Sequence, residues 1–103
     1  MHKEKLALYD KLIAKCDLFK RKGKTMPHTS VNGYMFSAFN KNDEIGIRFS
    51  KEVQKEYLIK YNTTYFKSYN AIMKGYILIT DEMLEDEENV INLLKESYKY
   101  YMS

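Results

Sequence analysis

The chain has 103 residues, of which 45 % are hydrophobic and 30 % are charged, a composition typical of one globular domain spanning residues 1–103. A formal net charge of +3 is too small to indicate a polyanion as partner, and no stretch is apolar enough to span a membrane. Because Cys16 is the only cysteine, an intrachain disulfide is excluded, and we expect a reducing, cytoplasmic setting.

Charge is distributed unevenly along the chain. Residues 1–24 carry eight Lys or Arg against three acidic residues, whereas residues 81–103 carry seven acidic residues against two Lys. Such polarity could steer a partner or a second subunit. The simpler interpretation is that two terminal helices lie side by side, with their opposite charges facing each other.

Hydrophobic periodicity predicts the secondary structure in chain order. Apolar residues at steps of three and four indicate amphipathic helices, and stretches of period two indicate half-buried strands. Asn32-Gly33 indicates a tight turn, and Ser50 and Asp86 are suited to cap helices. The predicted elements are a helix at 3–20, strands at 25–31, 34–39 and 44–49, a helix at 51–61, strands at 65–69 and 72–79, a helical turn beginning at Thr80 or Asp81, and a helix at 87–101.

This order predicts an α+β fold in two layers, α-β-β-β-α-β-β-α, with a five-stranded, mostly antiparallel sheet packed against helices. Strands joined by short loops favour antiparallel pairing, and we expect the first and last helices to share one face of the sheet. On that face, alternation places Ile45, Ile47 and Phe49 in the core. Cys16 lies on the inward side of the first helix, so we expect a buried, unreactive thiol.

Side chains for catalysis or metal binding form no recognisable pattern. Neither His2 nor His28 has a second ligand at metal-binding spacing. The acidic segment 81–88 lacks the ligand spacing and central glycine of a calcium loop, and is better explained as a solvated helix start. Gly75, alone in a strand, indicates a bulge rather than a phosphate cradle. We therefore expect no enzyme, no metal and no cofactor.

A candidate interaction surface follows from strand parity. Four residues are expected on the sheet face opposite the core: Arg48, Lys74, Tyr76 and Leu78. In a two-layer fold no helix covers that face, so it would suit a protein partner or a second copy of the chain. The plainer alternative is a solvated face that carries a few aromatic side chains.

Two other functions also fit the sequence. The basic loop 20–24 supplies cations, and the tyrosine-rich segment 60–76 interleaves cations and aromatic rings, as proteins that bind unpaired nucleic acid do. Loop 24–28 beside Lys74 would instead suit a small-molecule binder or an unrecognised enzyme. The leading interpretation remains a non-enzymatic interaction or regulatory module.

Three segments resemble the N-terminal domain of the TfoX/Sxy family, which comprises regulators of bacterial competence and small single-domain relatives. They are Val31–Phe39 (VNGYMFSAF), Ile45–Phe49 (IGIRF) and Tyr76–Asp86 (YILITDEMLED). The resemblance covers about residues 3–101 and implies a secretion-chaperone-like fold, a regulatory role and no catalytic residues. Thr25–Ser30 replaces the family's Met-Phe-Gly-Gly element, and we expect the family's C-terminal domain to be absent after Ser103, so the resemblance does not imply direct activation of competence.

Overall fold

The computed structural model describes residues 2–103, with side chains from Glu4 onward, and shows an α+β fold within that range. The elements are α1 (His2–Cys16), β1 (His28–Val31), β2 (Tyr34–Phe39), β3 (Ile45–Arg48), α2 (Lys51–Lys60), β4 (Tyr65–Ser68), β5 (Ala71–Ile79), α3 (Asp81–Leu84) and α4 (Glu87–Met102). The five strands form one antiparallel sheet in the spatial order β1-β2-β3-β5-β4. The predicted fold class and order of elements are confirmed.

The main core lies between one face of the sheet and the helices. Its buried side chains are Tyr9, Leu12, Ile13, Cys16, Phe39, Ile45, Ile47, Phe49, Ile77, Ile79, Met83, Leu84, Val90, Leu93 and Leu94. Complete burial of one large apolar side chain contributes about 1.5–3 kcal/mol, so this cluster is the main source of stability. The predicted inward positions of β3 and of Cys16 are confirmed.

Opposite charges face each other where α1 packs beside α3 and α4. Lys5 forms an ion pair with Asp81, and Lys11 Nζ lies 3.1 Å from Glu87 Oε1. Exposed pairs of this kind contribute at most about 1 kcal/mol each. The simpler interpretation of the uneven charge is confirmed, since two ion pairs join the basic first helix to acidic residues of α3 and α4.

The first helix ends four residues earlier than its periodicity predicts. Asp17 adopts a left-handed backbone with φ 55°, which stops α1 at Cys16. Phe19 then packs edge-on against Phe36, with 4.9 Å between the ring centroids. Phe19 is therefore partly buried against the core although it lies outside the helix.

The second face of the sheet is covered by the chain's own β4–β5 hairpin. The hairpin of β4 and β5 curls over this face, and Phe66 packs on Gly46 of β3, two strands away. Phe66 is fully buried and stacks against Tyr76 at a centroid distance of 5.8 Å. A second hydrophobic cluster results, formed by Ala38, Phe66 and Tyr76 with the partly buried Met26, Met35, Met73 and Leu78.

A bulge in β5 gives the hairpin its curl. Tyr65 pairs with Ile77 but Lys67 pairs with Ile72, so two steps along β4 correspond to five along β5. Within the bulge, Gly75 has φ 85°, and a Cβ there would stand 2.9 Å from the Phe49 carbonyl oxygen. The sequence-based interpretation of this glycine as a bulge is confirmed.

Candidate functional site

The four residues predicted to form an interaction surface do not share one exposed patch. Tyr76 is only 3 % exposed because Phe66 covers it, and Leu78 is half-buried in the same cluster. Arg48 is half-buried, whereas Lys74 is exposed. The expectation that Tyr76 projects from an open face is wrong, since strand parity identifies the face but not the hairpin that folds over it.

Arg48 and Lys74 instead line a cavity of about 780 Å³, here called the Arg48 cavity. It lies where β3 ends and β5 begins, and the starts of α2, β2 and β4 and the end of α4 complete its wall. Lys51 is its third cationic side chain. In the part of the chain that the structure describes, no Asp or Glu side chain lines this cavity.

The guanidinium of Arg48 is held by several contacts. The side chain passes over Gly75, where an added Cβ would stand 3.1 Å from Arg48 Cγ. Cζ lies 5.1 Å from the centre of the Tyr101 ring, and Nη1 donates to the Met35 carbonyl oxygen at 3.5 Å. Nε is buried and has no hydrogen-bond partner among the described residues. A guanidinium has five N–H donors, so the Nη groups keep donors for an anion, whereas the buried Nε is out of its reach.

The first turn of α2 also faces the cavity. Ser50 caps the helix, because its Oγ accepts a hydrogen bond from Val53 N at 3.2 Å. Gln54 Nε2 donates to the Tyr76 carbonyl oxygen at 2.8 Å, which joins α2 to β5. The positive end of the helix dipole and the ammonium of Lys51 therefore add to the positive potential around Arg48.

Four tyrosine rings surround the charged groups. Tyr101 lies 4.8 Å from Tyr100 and 5.6 Å from Tyr34, measured between ring centroids. Burial raises the pKa of Tyr101. Tyr34, Tyr65 and Tyr100 are 52 %, 46 % and 54 % exposed, so part of each ring is open to a ligand.

This lining has a chemical consequence. Arg, Lys and Tyr side chains ordinarily keep their protons at neutral pH, which makes them hydrogen-bond donors and not general bases. A cavity of several hundred Å³ that combines aromatic walls with a few polar groups is typical of a ligand site. The arrangement is suited to hold an anion that carries a planar group.

Within the described chain, neither of the two loops singled out in the sequence lines this cavity, whereas part of the tyrosine-rich segment does. Arg21 of the basic loop 20–24 forms an ion pair with Asp10. No described residue of loop 24–28 lines this cavity, so the expected site formed by that loop beside Lys74 is not this cavity and stays a prediction. Four residues of the tyrosine-rich segment 60–76 line the cavity, at positions 65, 72, 74 and 75.

Three residues that line the cavity are not among those predicted from the sequence: Tyr34, Lys51 and Tyr100. Tyr34 and Tyr100 are far apart in the chain and meet because Asn32 Nδ2 donates to the Met102 carbonyl oxygen at 2.8 Å, which joins the β1–β2 turn to the end of α4. Nothing local in the sequence indicates that contact. For Lys51 a signal existed, since a cation directly after a helix N-cap lies at the positive end of the helix.

No group of three or more His, Cys, Asp or Glu side chains able to hold a metal occurs in the described residues. The His2 side chain lies outside the described residues. None of the described helices has the length and apolar character needed to cross a membrane. Comparison of the chain with family models, with curated proteins and with solved structures finds no match.

Proposed function

We propose that the chain is a non-enzymatic binding module with a regulatory role, and that it binds an anionic ligand in the Arg48 cavity. The lining carries the proposal, since three cations and four tyrosines surround a cavity of about 780 Å³. A regulatory role is also what the resemblance to the TfoX N-terminal domain implies. The buried free thiol of Cys16 is consistent with a reducing, cytoplasmic setting.

The three cations would contribute in different ways. Arg48 is half-buried and held by its contacts, so its interaction with an anion is less screened by salt and loses less side-chain entropy. Lys51 and Lys74 are exposed and would mainly attract the anion. We therefore expect affinity to fall as ionic strength rises, and to depend most on Arg48.

Titration with inorganic pyrophosphate, followed by ¹H–¹⁵N NMR at low ionic strength, tests this function. The largest amide shifts are expected at Lys51, Glu52 and Gly75. Arg48→Met, which keeps a long apolar side chain, should weaken binding about tenfold or more because it removes a charge-assisted hydrogen bond. Arg21→Met is the matched control, since Arg21 is the other arginine of the chain and lies outside the cavity. Shifts confined to the basic loop 20–24 would contradict the proposal.

A second candidate function is contact with a protein partner or a second copy of the chain. The observation that favours it is the rim of the cavity, where Tyr34, Tyr65, Ile72 and Tyr100 are each about half exposed. Exposed apolar groups of this kind occur at interaction surfaces, and a stable interface buries about 800 Å² per partner. Light scattering tests self-association, which Tyr100→Glu should weaken; a monomer at every accessible concentration would contradict the homodimer.

A further inference from the structure

Charges and rings occupy neighbouring parts of the Arg48 cavity, and their arrangement indicates a class of ligand. Resting on the proposed function, we propose that this cavity binds a nucleoside phosphate. Its phosphate would lie at Arg48 and Lys51, and its base would stack on the exposed tyrosine rings. The same chemistry is presented by a free nucleotide and by the end of an unpaired strand.

The phosphate end is formed by the junction of β3 and α2. Arg48 is the last residue of β3, and α2 begins three residues later at Lys51, so a fork of N–H donors and an ammonium lie at the start of a ten-residue helix. The first backbone N–H groups of a helix have no partner within the helix and point outward along its axis. Oxygens of a phosphate can accept from several such donors at once, which suits phosphate better than a singly charged carboxylate.

The base end is formed by rings from two separate elements. Tyr100 belongs to α4 and Tyr34 begins β2, and both pack around Tyr101. Arg48 Cζ lies 5.1 Å from the Tyr101 ring and that ring lies 4.8 Å from Tyr100, so the guanidinium is within about 10 Å of the Tyr100 ring centre. This separation is within the reach of a nucleotide from its phosphate to the far edge of its base.

The cavity also has room for a sugar beside the phosphate end. The cavity of about 780 Å³ is larger than a phosphate and one ring require. Ser50 and Gln54 line it, and the Ser50 hydroxyl keeps a proton to donate while its oxygen accepts from Val53 N. Hydroxyl groups of a ribose would find hydrogen-bond partners there, which a simple aryl phosphate would leave unused.

Isothermal titration calorimetry with adenosine 5′-monophosphate, adenosine and inorganic phosphate tests the proposal. The monophosphate should bind about tenfold or more tightly than either of the others, since stacking on a tyrosine and contact with the cations both contribute. Tyr100→Leu should reduce its affinity about tenfold while leaving the affinity for inorganic phosphate unchanged. Tyr69→Leu is the matched control, because Tyr69 is 64 % exposed and lies outside the cavity.

The outcomes separate this inference from the proposed function. Equal affinities for the monophosphate and inorganic phosphate would overturn base recognition and leave the anion site standing. Equal affinities for the monophosphate and adenosine would overturn the phosphate contact, and absence of all binding would overturn both proposals. A 5′-phosphorylated, unstructured RNA of ten nucleotides shows which of the two is the ligand. If the RNA binds more tightly than the monophosphate, the ligand is the end of an unpaired strand. If the RNA binds equally or more weakly, the ligand is a free nucleotide.

Discussion

The contact between Phe66 and Gly46 holds the β4–β5 hairpin over the second face of the sheet, and a double-mutant cycle measures it. Phe66 is fully buried, so Phe66→Ala should lower the free energy of unfolding by about 3–5 kcal/mol. Gly46→Ala should lower it by about 1–3 kcal/mol, because the new Cβ would stand 2.6 Å from Phe66 Cδ1 and the ring has to move.

The coupling between the two substitutions is the decisive quantity. When residue 66 is alanine, the overlap that makes Gly46→Ala costly is gone, so the double variant should be less destabilised than the sum of the single variants by about 1–3 kcal/mol. Urea denaturation of the four proteins gives the free energies of unfolding. Additivity to within about 0.5 kcal/mol would show that Phe66 does not lie on Gly46 and that the hairpin leaves this face open.

Three further predictions concern buried groups. Tyr76→Phe should lower the free energy of unfolding by about 1–2 kcal/mol, since it loses only the hydrogen bond from Tyr76 Oη to the Met35 carbonyl oxygen. Tyr76→Glu should prevent stable folding, because it buries a charge. If urea denaturation shows equally small losses for both variants, Tyr76 is not buried. Burial raises the pKa of Tyr9 and Tyr76 and raises that of Tyr57 to about 12, while tyrosines of the unfolded chain deprotonate near pH 10. Stability should therefore be fully present below about pH 10 and fall as pH rises toward the raised pKa values, so an unchanged urea midpoint up to pH 11 would contradict this. Cys16 is 4 % exposed and burial raises its pKa to about 11, so a thiol reagent should label it rapidly only after unfolding, and rapid labelling of the native protein would refute this.

Local signals were sufficient to predict most of the fold. The strand at 34–39 has its predicted bounds because the turn at Asn32-Gly33 and the change of period delimit it. The last helix begins where Asp86 was expected to cap it, with Asp86 Oδ1 accepting from Asn89 N at 3.2 Å. Such features depend on residues close together in the chain, which is why one sequence reveals them.

The covered sheet face and the cavity could not be predicted in the same way. The alternation of side chains along a strand correctly places Arg48 and Tyr76 on the face opposite the main core. The curl of the hairpin, however, depends on how far β5 bulges around Gly75. The cavity requires the end of α4 to dock on the β1–β2 turn through Asn32. Both features arise from contacts between distant segments, and hydrophobic periodicity carries no information about them.

Two lysines on successive turns of α2 allow the most direct test of the Arg48 cavity as the binding site. Lys51 lines the cavity and Lys55 does not, yet both are exposed and each carries one charge. Calorimetry with inorganic pyrophosphate at low ionic strength should show about a fivefold loss of affinity for Lys51→Met and little change for Lys55→Met. A fivefold loss is equivalent to about 1 kcal/mol, which is the contribution of one exposed charge pair. Equal losses in the two variants, or none in either, would contradict binding in this cavity.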